Sequence, residues 1–389
     1  MANNTSNNSA SNFDSNKVCI CGTGYVGTSL IEEFSKVFNV FGYDVSSNRV
    51  DFLTNYFKDK KNVVVSTDED VFEGAAMFCI AVPTNLRVDN SIDDSNIKNA
   101  ISKISKYAQP GSCIVMESSV SVGMTRALLS ELHAKGVRIC MSPERINPGM
   151  TIEAHTIPKI LSGFDNESLE CGKSFYTKVF DTIVPVSSLE TAEFCKLYEN
   201  CFRVINIAYT NECCDAAVKH GINPSEMINA CSTKPFGFLP FQNSCGIGGH
   251  CLPYNSQFLG VNNDLPLLKF AAKNMAMRPQ EKAHAFVKAF PDTNNVLVVG
   301  MGFKYGQSLT TNSPGLQYAQ ALKSMGKNVT VYDPLVNDAS GLKMMTCDEW
   351  NVENLKKFDK IIVALRQEGV DLNILDSVVD KVVLPEVVV

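Results

Sequence analysis

One cysteine in this 389-residue chain has neighbours that suit covalent chemistry. The segment Gly246-Ile247-Gly248-Gly249-His250-Cys251-Leu252-Pro253 crowds glycines and a proline around a single thiol. Glycine there lets the backbone wrap a ligand and leaves the sulfur exposed. A thiolate can capture a carbonyl carbon, although a loop cysteine is more often inert. A second segment is suited to binding. Gly22-Thr23-Gly24-Tyr25-Val26-Gly27 follows the apolar run Val18–Cys21, and Asp44 closes the next apolar run, 17 residues after Gly27. In this G-x-G-x-x-G pattern Gly22 permits the tight turn, Gly24 admits a pyrophosphate, and Gly27 lets helix and strand pack closely. The helix N-terminus offers N–H groups to the anion. Asp44 would accept from a ribose 2′-hydroxyl and repel a 2′-phosphate, favouring NAD over NADP. Arg49, five residues on, could soften that preference.

Alternating apolar runs and helical segments position these groups. VFGYD, AAMFCIAV, SCIVMES and VRICMSP read as strands between amphipathic stretches, one of which carries Leu30, Ile31, Phe34 and Val37. This predicts a parallel, doubly wound α/β sheet over 17–186, the first domain. Ten of the first sixteen residues are Asn or Ser, so 1–16 is expected to be a disordered tail. Neither Gly nor Pro occurs from Ser188 to His220, which predicts one long helix opening a central domain over 187–290. VLVVGMGF, NVTVYDP and KIIVAL then repeat the first pattern, predicting a second Rossmann-like domain over 291–389. Its glycine turn has Gly300 and Gly302, but Tyr305 stands at the third glycine position.

The segments S-P-E-R-I-N-P-G (142–149), A-E-F-C-K-L-Y-E-N-C-F-R (192–203), S-T-K-P-F-G-F (232–238) and G-I-G-G-H-C-L-P (246–253) follow in order. V-P-T (Val82, Pro83, Thr84), E-S-S-V (117–120) and G-F-K (302–304) accompany them. Together they resemble the UDP-glucose/GDP-mannose dehydrogenase family, from about Lys17 to Pro334, nearest the UDP-N-acetylhexosamine branch and especially UDP-N-acetylglucosamine 6-dehydrogenases. The resemblance implies a four-electron oxidation of a sugar C6 alcohol to a carboxylate with two NAD. The cysteine would carry a thiohemiacetal and then a thioester, which water hydrolyses. UDP-glucose and UDP-N-acetylmannosamine are the alternative substrates; a two-electron hydroxyacid dehydrogenase or a non-catalytic nucleotide-sugar-binding protein are the other classes.

Residue by residue, the resemblance makes Cys251 the nucleophile. Lys196 and Asn200, on one helix face by their i,i+4 spacing, would stabilise oxyanions at C6. Glu144 would be the general base or the group positioning one, and Ser119 a hydroxyl holding water near the cofactor. Tyr25, Val26, Val82, Pro83 and Thr84 join the glycines, Asp44 and Arg49 at the cofactor. Glu144, Arg145, Ile146, Asn147, Lys196, Asn200, Lys234, Gly248, Gly249, Phe303 and Lys304 fall at the UDP-sugar. Phe236 and Phe238 would cover the sugar or sit in a core, and Arg203 would serve the diphosphate or a subunit contact.

Three departures stand out. Asn255 occupies the position, four after the cysteine, where the family usually carries Asp. Leu309-Thr310-Thr311-Asn312-Ser313-Pro314 stands where D-x-R-x-S-P is usual, without its acid and arginine. Asn243-Ser244-Cys245-Gly246 replaces PGPG. The charge balance, 35 basic against 41 acidic residues, argues against nucleic acid as partner. No apolar run approaches a membrane span and no signal peptide is legible, so a cytosolic location is expected. The scattered histidines and the absence of any C-x-x-C pair speak against a metal site. The long helix is expected to build a homodimer or larger assembly.

Overall fold

The computed structural model describes residues 13–87, 89, 91–146, 152–385 and 388, which form two compact units, up to Tyr198 and from Glu199 on. In the first, β1 (Asp14–Cys21) leads into α1 (Tyr25–Phe34), followed by β2 (Asn39–Tyr43), α2 (Ser47–Tyr56) and β3 (Val63–Ser66). Next come β4 (Ala75–Ile80), the small antiparallel pair β5 (Asn85–Leu86) and β6 (Ile92–Asp93), and α3 (Ser95–Ile104). The chain continues through β7 (Cys113–Met116), α4 (Met124–Ala134), β8 (Arg138–Met141), β9 (Lys159–Gly163), α5 (Asn166–Tyr176) and β10 (Ile183–Pro185). The sheet order is β10-β9-β8-β7-β4-β1-β2-β3, parallel except where β9 runs against β8.

Strand residues alternate between two cores. Cys19, Phe78, Ile114 and Ile139 pack with Ile97, Ile104 and Leu129 of α3 and α4 on one face. Val18, Ile20, Met77 and Val115 pack with Leu30, Phe34, Leu53 and Tyr176 of α1, α2 and α5 on the other. Burial on both faces is why these strands read as continuous apolar runs rather than alternating ones.

Two expectations need correction. The first strand begins at Asp14, so only residues 1–12 of the expected tail lie outside the described residues. Asp14 takes part because its N–H donates to the Gly74 carbonyl at 2.9 Å, a partner invisible in local composition. Val37 lies beyond the end of α1 and is 43 % exposed.

α6 (Leu189–Lys219) is one unbroken 31-residue helix, as the absence of Gly and Pro predicts. Its first turns belong to the first unit: Glu193 accepts from the N–H groups of Gly123 and Thr125 at 2.6 and 2.9 Å, capping α4, and Arg126 grips Glu190. Its last turns belong to the second unit. There Asp215 faces Arg278 at 2.6 Å and Lys282 at 2.8 Å, both from α9.

The second unit continues with α7 (Pro224–Ser232), α8 (Cys251–Gly260) and α9 (Pro266–Ala289), then β11 (Asn295–Val299), α10 (Pro314–Ser324), β12 (Asn328–Tyr332), β13 (Lys343–Met344), β14 (Lys360–Val363) and β15 (Val382–Val383). The sheet order β13-β12-β11-β14-β15 is parallel throughout. This is the second Rossmann-like sheet, and its glycine turn corrects the sequence reading. A Cβ on Gly27 would meet the Gly22 carbonyl oxygen at 1.9 Å, and a Cβ on Gly315 would meet that of Gly300 at 2.2 Å. Gly315, not Tyr305, is therefore the third glycine. The loop 302–313 separates turn from helix, and Tyr305 is an exposed loop residue.

Gly315→Ala should lower the stability of the chain by about 1–3 kcal/mol, the usual cost of forcing a methyl into a packed contact. Tyr305→Gly should have less effect on the same packing. Denaturant midpoints of the two variants would rank them; equal midpoints would return the third-glycine role to 305.

Candidate active site

In the first unit, Gly22 has φ +89, and a Cβ there would meet the Ala81 carbonyl oxygen at 2.7 Å, so this turn requires glycine. A Cβ on Gly24 would meet nothing within 4 Å: the backbone is open on that side, directly before the N-terminus of α1. Tyr25 is exposed and Val26 half-buried. A cleft of about 600 Å³ opens there, lined by Gly22, Gly24, Asp44, Val82, Pro83 and Lys103 among others. An open backbone, a helix N-terminus and a cleft of this size fit a dinucleotide.

Asp44 is held by three hydrogen bonds. Its Oδ2 accepts from the Thr23 N–H and hydroxyl, each at 2.9 Å, and its Oδ1 from the Ser46 N–H at 3.0 Å. The Arg49 guanidinium donates to the Thr23 carbonyl at 2.8 Å and the Thr28 hydroxyl at 2.7 Å. Arg49 thus braces the glycine turn, a role its place in the sequence did not show. Val82 receives the Ser118 hydroxyl on its carbonyl at 2.7 Å, and Pro83 receives Asn96 at 3.1 Å. Thr84 is buried, and its hydroxyl has no hydrogen-bond partner among the described residues. Lys103, Asn96 and Asn99 line the same cleft and were missed, because nothing in their spacing sets them apart from an ordinary helix face.

The corresponding acid of the second sheet is spent internally. Asp333 is 3 % exposed, and its Oδ2 accepts from the N–H groups of Met301 and Gly302 at 2.7 and 2.9 Å and from Gln367 at 3.2 Å. Its Oδ1 accepts from the Leu335 N–H at 2.9 Å, as that of Asp44 does from Ser46, so burial is what sets Asp333 apart from the half-buried Asp44. The two sheets share a turn but present different chemistry.

Glu144 lies three residues past β8, and both of its oxygens are engaged. Oε1 accepts from the N–H groups of Arg145 and Ile146 at 2.6 and 2.8 Å, and Oε2 accepts from Lys159 at 2.7 Å. Burial alone would raise this carboxyl, but Lys159 and the two N–H groups hold it below the ordinary carboxylate range. The Arg145 guanidinium reaches the Pro158 carbonyl at 2.8 Å, Ile146 is half-buried, and Asn147 lies outside the described residues. Ser119 is half-buried, just beyond the end of β7. Lys159 and Glu117 went unassigned in the sequence; Glu117 stands in the E-S-S-V motif, and Lys159 carried no signal at all.

In the second unit, Cys251 is exposed and is the first residue of α8. Its loop is clamped onto the second nucleotide-type turn. A Cβ on Gly249 would meet the Phe303 ring at 2.7 Å, and one on Gly248 would meet Pro314 at 2.8 Å. The Gly249 N–H donates to the Thr311 carbonyl at 2.9 Å, and Asn312 donates to the Gly249 carbonyl at 3.0 Å. Asn312 adopts φ +50, a conformation asparagine tolerates better than most residues. Upstream, Ser244 is pinned by Asn211 at 2.8 Å and Arg278 at 2.8 Å.

Lys196 is half-buried, one turn before Asn200 on α6. Asn200 is 1 % exposed; its Oδ1 accepts from Arg203, and its Nδ2 has no partner among the described residues. Burial, and then the charge of Arg203, lower the Lys304 ammonium. Arg203 and Lys304 therefore repel each other, a cost that an anion beside both would relieve. Lys234, Phe236 and Phe238 all lie on an exposed segment, Phe236 being 71 % exposed, so neither aromatic is a core residue.

Models of the UDP-glucose/GDP-mannose dehydrogenase family match residues 16–182 as its NAD binding domain, 190–265 as its central domain and 297–388 as its UDP binding domain. The chain belongs to the UDP-glucose/GDP-mannose dehydrogenase family. Members of this family are NAD-dependent UDP-sugar dehydrogenases, oxidoreductases whose NAD binding domain is present here. Similar proteins include the UDP-N-acetyl-D-mannosamine dehydrogenase of Pyrococcus horikoshii, 26 % identical over 82 % of this chain and 84 % of that protein. Protein CapL of Staphylococcus aureus is 29 % identical over 90 % and 89 %. The structure of a UDP-glucose dehydrogenase from Pyrobaculum islandicum superposes with a TM-score of 0.82 at 19 % identity, covering 92 % of each chain, which shows the shared fold. No helix among the described residues is long and apolar enough to cross a membrane.

Within this family framework Asn255 has a local explanation. Its Nδ2 donates to the Cys251 carbonyl at 2.7 Å, while its buried Oδ1 has no partner among the described residues. A carboxylate has no proton for that carbonyl. Asn255→Asp should therefore destabilise the chain by about 1–3 kcal/mol where the introduced carboxyl is ionised. Protonation restores a donor, so its folded-state pKa is raised, and the lost stability should return as pH falls. The deficit measured by unfolding at pH about 8 should be smaller at pH about 5 and should close only below about 3.9, the value of the unfolded carboxyl.

Proposed function

We propose that this chain oxidises the C6 hydroxyl of a UDP-N-acetylhexosamine to the carboxylate, through covalent intermediates on Cys251. The observation that carries the reading is the clamped loop: an exposed thiol heads a helix, and its glycines are wedged on Phe303 beside Lys304. A two-electron dehydrogenase has no use for such a thiol. The similar proteins named UDP-N-acetyl-D-mannosamine dehydrogenase favour that sugar over the UDP-N-acetylglucosamine expected from the motifs. The second hexosamine remains the next substrate to test, ahead of UDP-glucose.

NAD, when bound, supplies hydride acceptance at C6. Lys196 and the Asn200 amide hold the C6 oxygen as negative charge develops there. The Cys251 thiolate adds to the aldehyde to give a thiohemiacetal, and the second oxidation leaves a thioester. Water attacks the thioester carbon, the C–S bond breaks, and the thiolate is regenerated. Arg203 and Lys304 neutralise the diphosphate. We propose cofactor binding over 17–186, a central helical part over 187–290 and UDP binding over 291–389, a division that the family segments 16–182, 190–265 and 297–388 support.

Incubation with NAD and each UDP-sugar, with NADH followed and products weighed, tests the reading. The expected result is two NADH per uronate with a UDP-N-acetylhexosamine; one NADH per sugar and an aldehyde or ketone product would overturn it. Cys251→Ser should reduce uronate formation by about 10³-fold or more, as loss of a covalent nucleophile does. Uronate at the parental rate would remove the thioester from the scheme.

We also propose a homodimer built on α6. Phe194, Tyr198, Phe202 and Tyr209 are 41, 62, 40 and 66 % exposed, an aromatic stripe at helical spacing that water disfavours. Light scattering should give about twice the 42.6 kDa chain mass, and Tyr198→Glu with Phe202→Glu should return the monomer.

A further inference from the structure

We propose that Lys103 and Glu69 form a second selection device at the cofactor cleft: Glu69 engages the Lys103 ammonium, so that it is not offered to a 2′-phosphate, and reinforces the choice of NAD over NADP expected from Asp44. The inference rests on the reading of this cleft as the NAD site and assigns two residues that the sequence left without a role.

Lys103 belongs to the cleft by position. Asn96, Asn99, Ala100 and Lys103 follow at helical spacing on α3 and line it together with Asp44 and Val45, which lie just past the end of β2. Among the lining residues Asp44 and Lys103 carry charge, and their signs are opposite. The Lys103 nitrogen lies 5.4 Å from the centre of the Tyr43 ring, and Tyr43 directly precedes Asp44 in the chain. Arg49, the cation that the sequence placed nearest Asp44, turns its guanidinium instead to the Thr23 carbonyl and the Thr28 hydroxyl.

A lysine in such a cleft works against the choice of NAD. A 2′-phosphate brings nearly two negative charges at pH 7 that a ribose hydroxyl lacks, and an ammonium attracts them as strongly as a carboxylate at the same distance repels them. Asp44 is engaged by Thr23 and Ser46, so it is Glu69 that meets the ammonium. Glu69 opens the short turn Glu69–Phe72 that follows β3. Lys103 donates to its Oε1, and Lys106, just past the end of α3, donates to its Oε2 at 2.7 Å. Each carboxylate oxygen is thereby taken by one lysine, and the two ammonium groups hold Glu69 below the ordinary carboxylate range. The Lys103 and Lys106 side chains are 28 and 59 % exposed, so Lys103 is the inner cation and Lys106 the outer one.

Removing the Glu69 charge takes the triad from +1 to +2 and leaves the inner ammonium without its carboxylate. At about 8 Å in water-like surroundings, one unit charge acting on a doubly charged phosphate changes affinity by about 5- to 10-fold, and salt screens most of that effect. Glu69 is thus a positioning residue that acts through Lys103.

Calorimetric titration of the full chain with NAD and with NADP comes first. Tighter binding of NAD upholds the reading of the cleft; a chain that binds neither, or binds NADP as tightly, overturns that reading and the proposal together. Glu69→Gln then tests the proposal alone. It keeps the shape of the side chain and one acceptor, and the turn keeps its cap, because Asp68 accepts from the Asp70 N–H. The preference for NAD over NADP should narrow about 5- to 10-fold at about 50 mM salt and much less at about 1 M. A merely loosened turn would weaken both cofactors alike and would not respond to salt in this way. Adding Lys103→Met to Glu69→Gln should restore the parental preference, whereas adding Lys106→Met in its place should not. An unchanged preference in Glu69→Gln overturns the device, and so does a restoration by Lys106→Met as complete as that by Lys103→Met.

Discussion

A carbonyl oxygen with no room for a methyl group beside it organises both halves of this chain. Gly27 against Gly22, and Gly315 against Gly300, bring a helix so close to its strand turn that any Cβ would overlap backbone. Each contact aims a helix N-terminus across the carboxyl end of its parallel sheet, where α/β proteins place their ligands. The acid at the end of the second strand differs between the two turns in its exposure. Asp44 stays partly exposed and braced by Thr23 and Ser46, while Asp333 is consumed by the turn itself.

The cysteine loop depends on the same economy of side-chain volume. Gly248 and Gly249 leave space that Phe303 and Pro314 fill, and Thr311 and Asn312 tie down the backbone. The L-T-T-N-S-P segment departs from the family pattern in its charged residues, yet it does structural work: its carbonyl and amide groups hold the cysteine loop to the turn. Asn255 is similar. Its amide serves the Cys251 carbonyl, a need that a carboxylate does not meet.

The buried charges follow a different rule. Lys159 lies between two carboxylates and pairs with both at 2.7 Å, which offsets the cost of burying all three charges. Glu193 and Asp215 are simpler cases, each giving a carboxylate to orphan donors or cations of its own unit and so fixing one end of α6.

Much of this was legible in the order of residues. Continuous apolar runs identified β1, β2, β4, β7, β8, β11, β12 and β14, because a strand buried on both faces leaves little choice of side chain. The unbroken run from Ser188 announced α6, since only Gly or Pro would have stopped it. The fingerprint glycines and Cys251 stood out because their spacing is local. Contacts between distant segments were not legible. β3 and β9 are no shorter than β7 and β8 and were passed over, whereas β10 has three residues and is a strand through its pairing with β9. Gly315 is separated from Gly302 by a loop, and only folding brings it onto the Gly300 carbonyl. The partners of Arg49, Glu144 and Asn255 were hidden for the same reason. The sequence by itself determined which elements form and which glycines and thiol can do chemistry, because these depend on neighbours along the chain. Tertiary structure alone decided which charges are buried together and which carboxylate remains available, because a pKa and a hydrogen bond depend on what lies a few ångströms away in space.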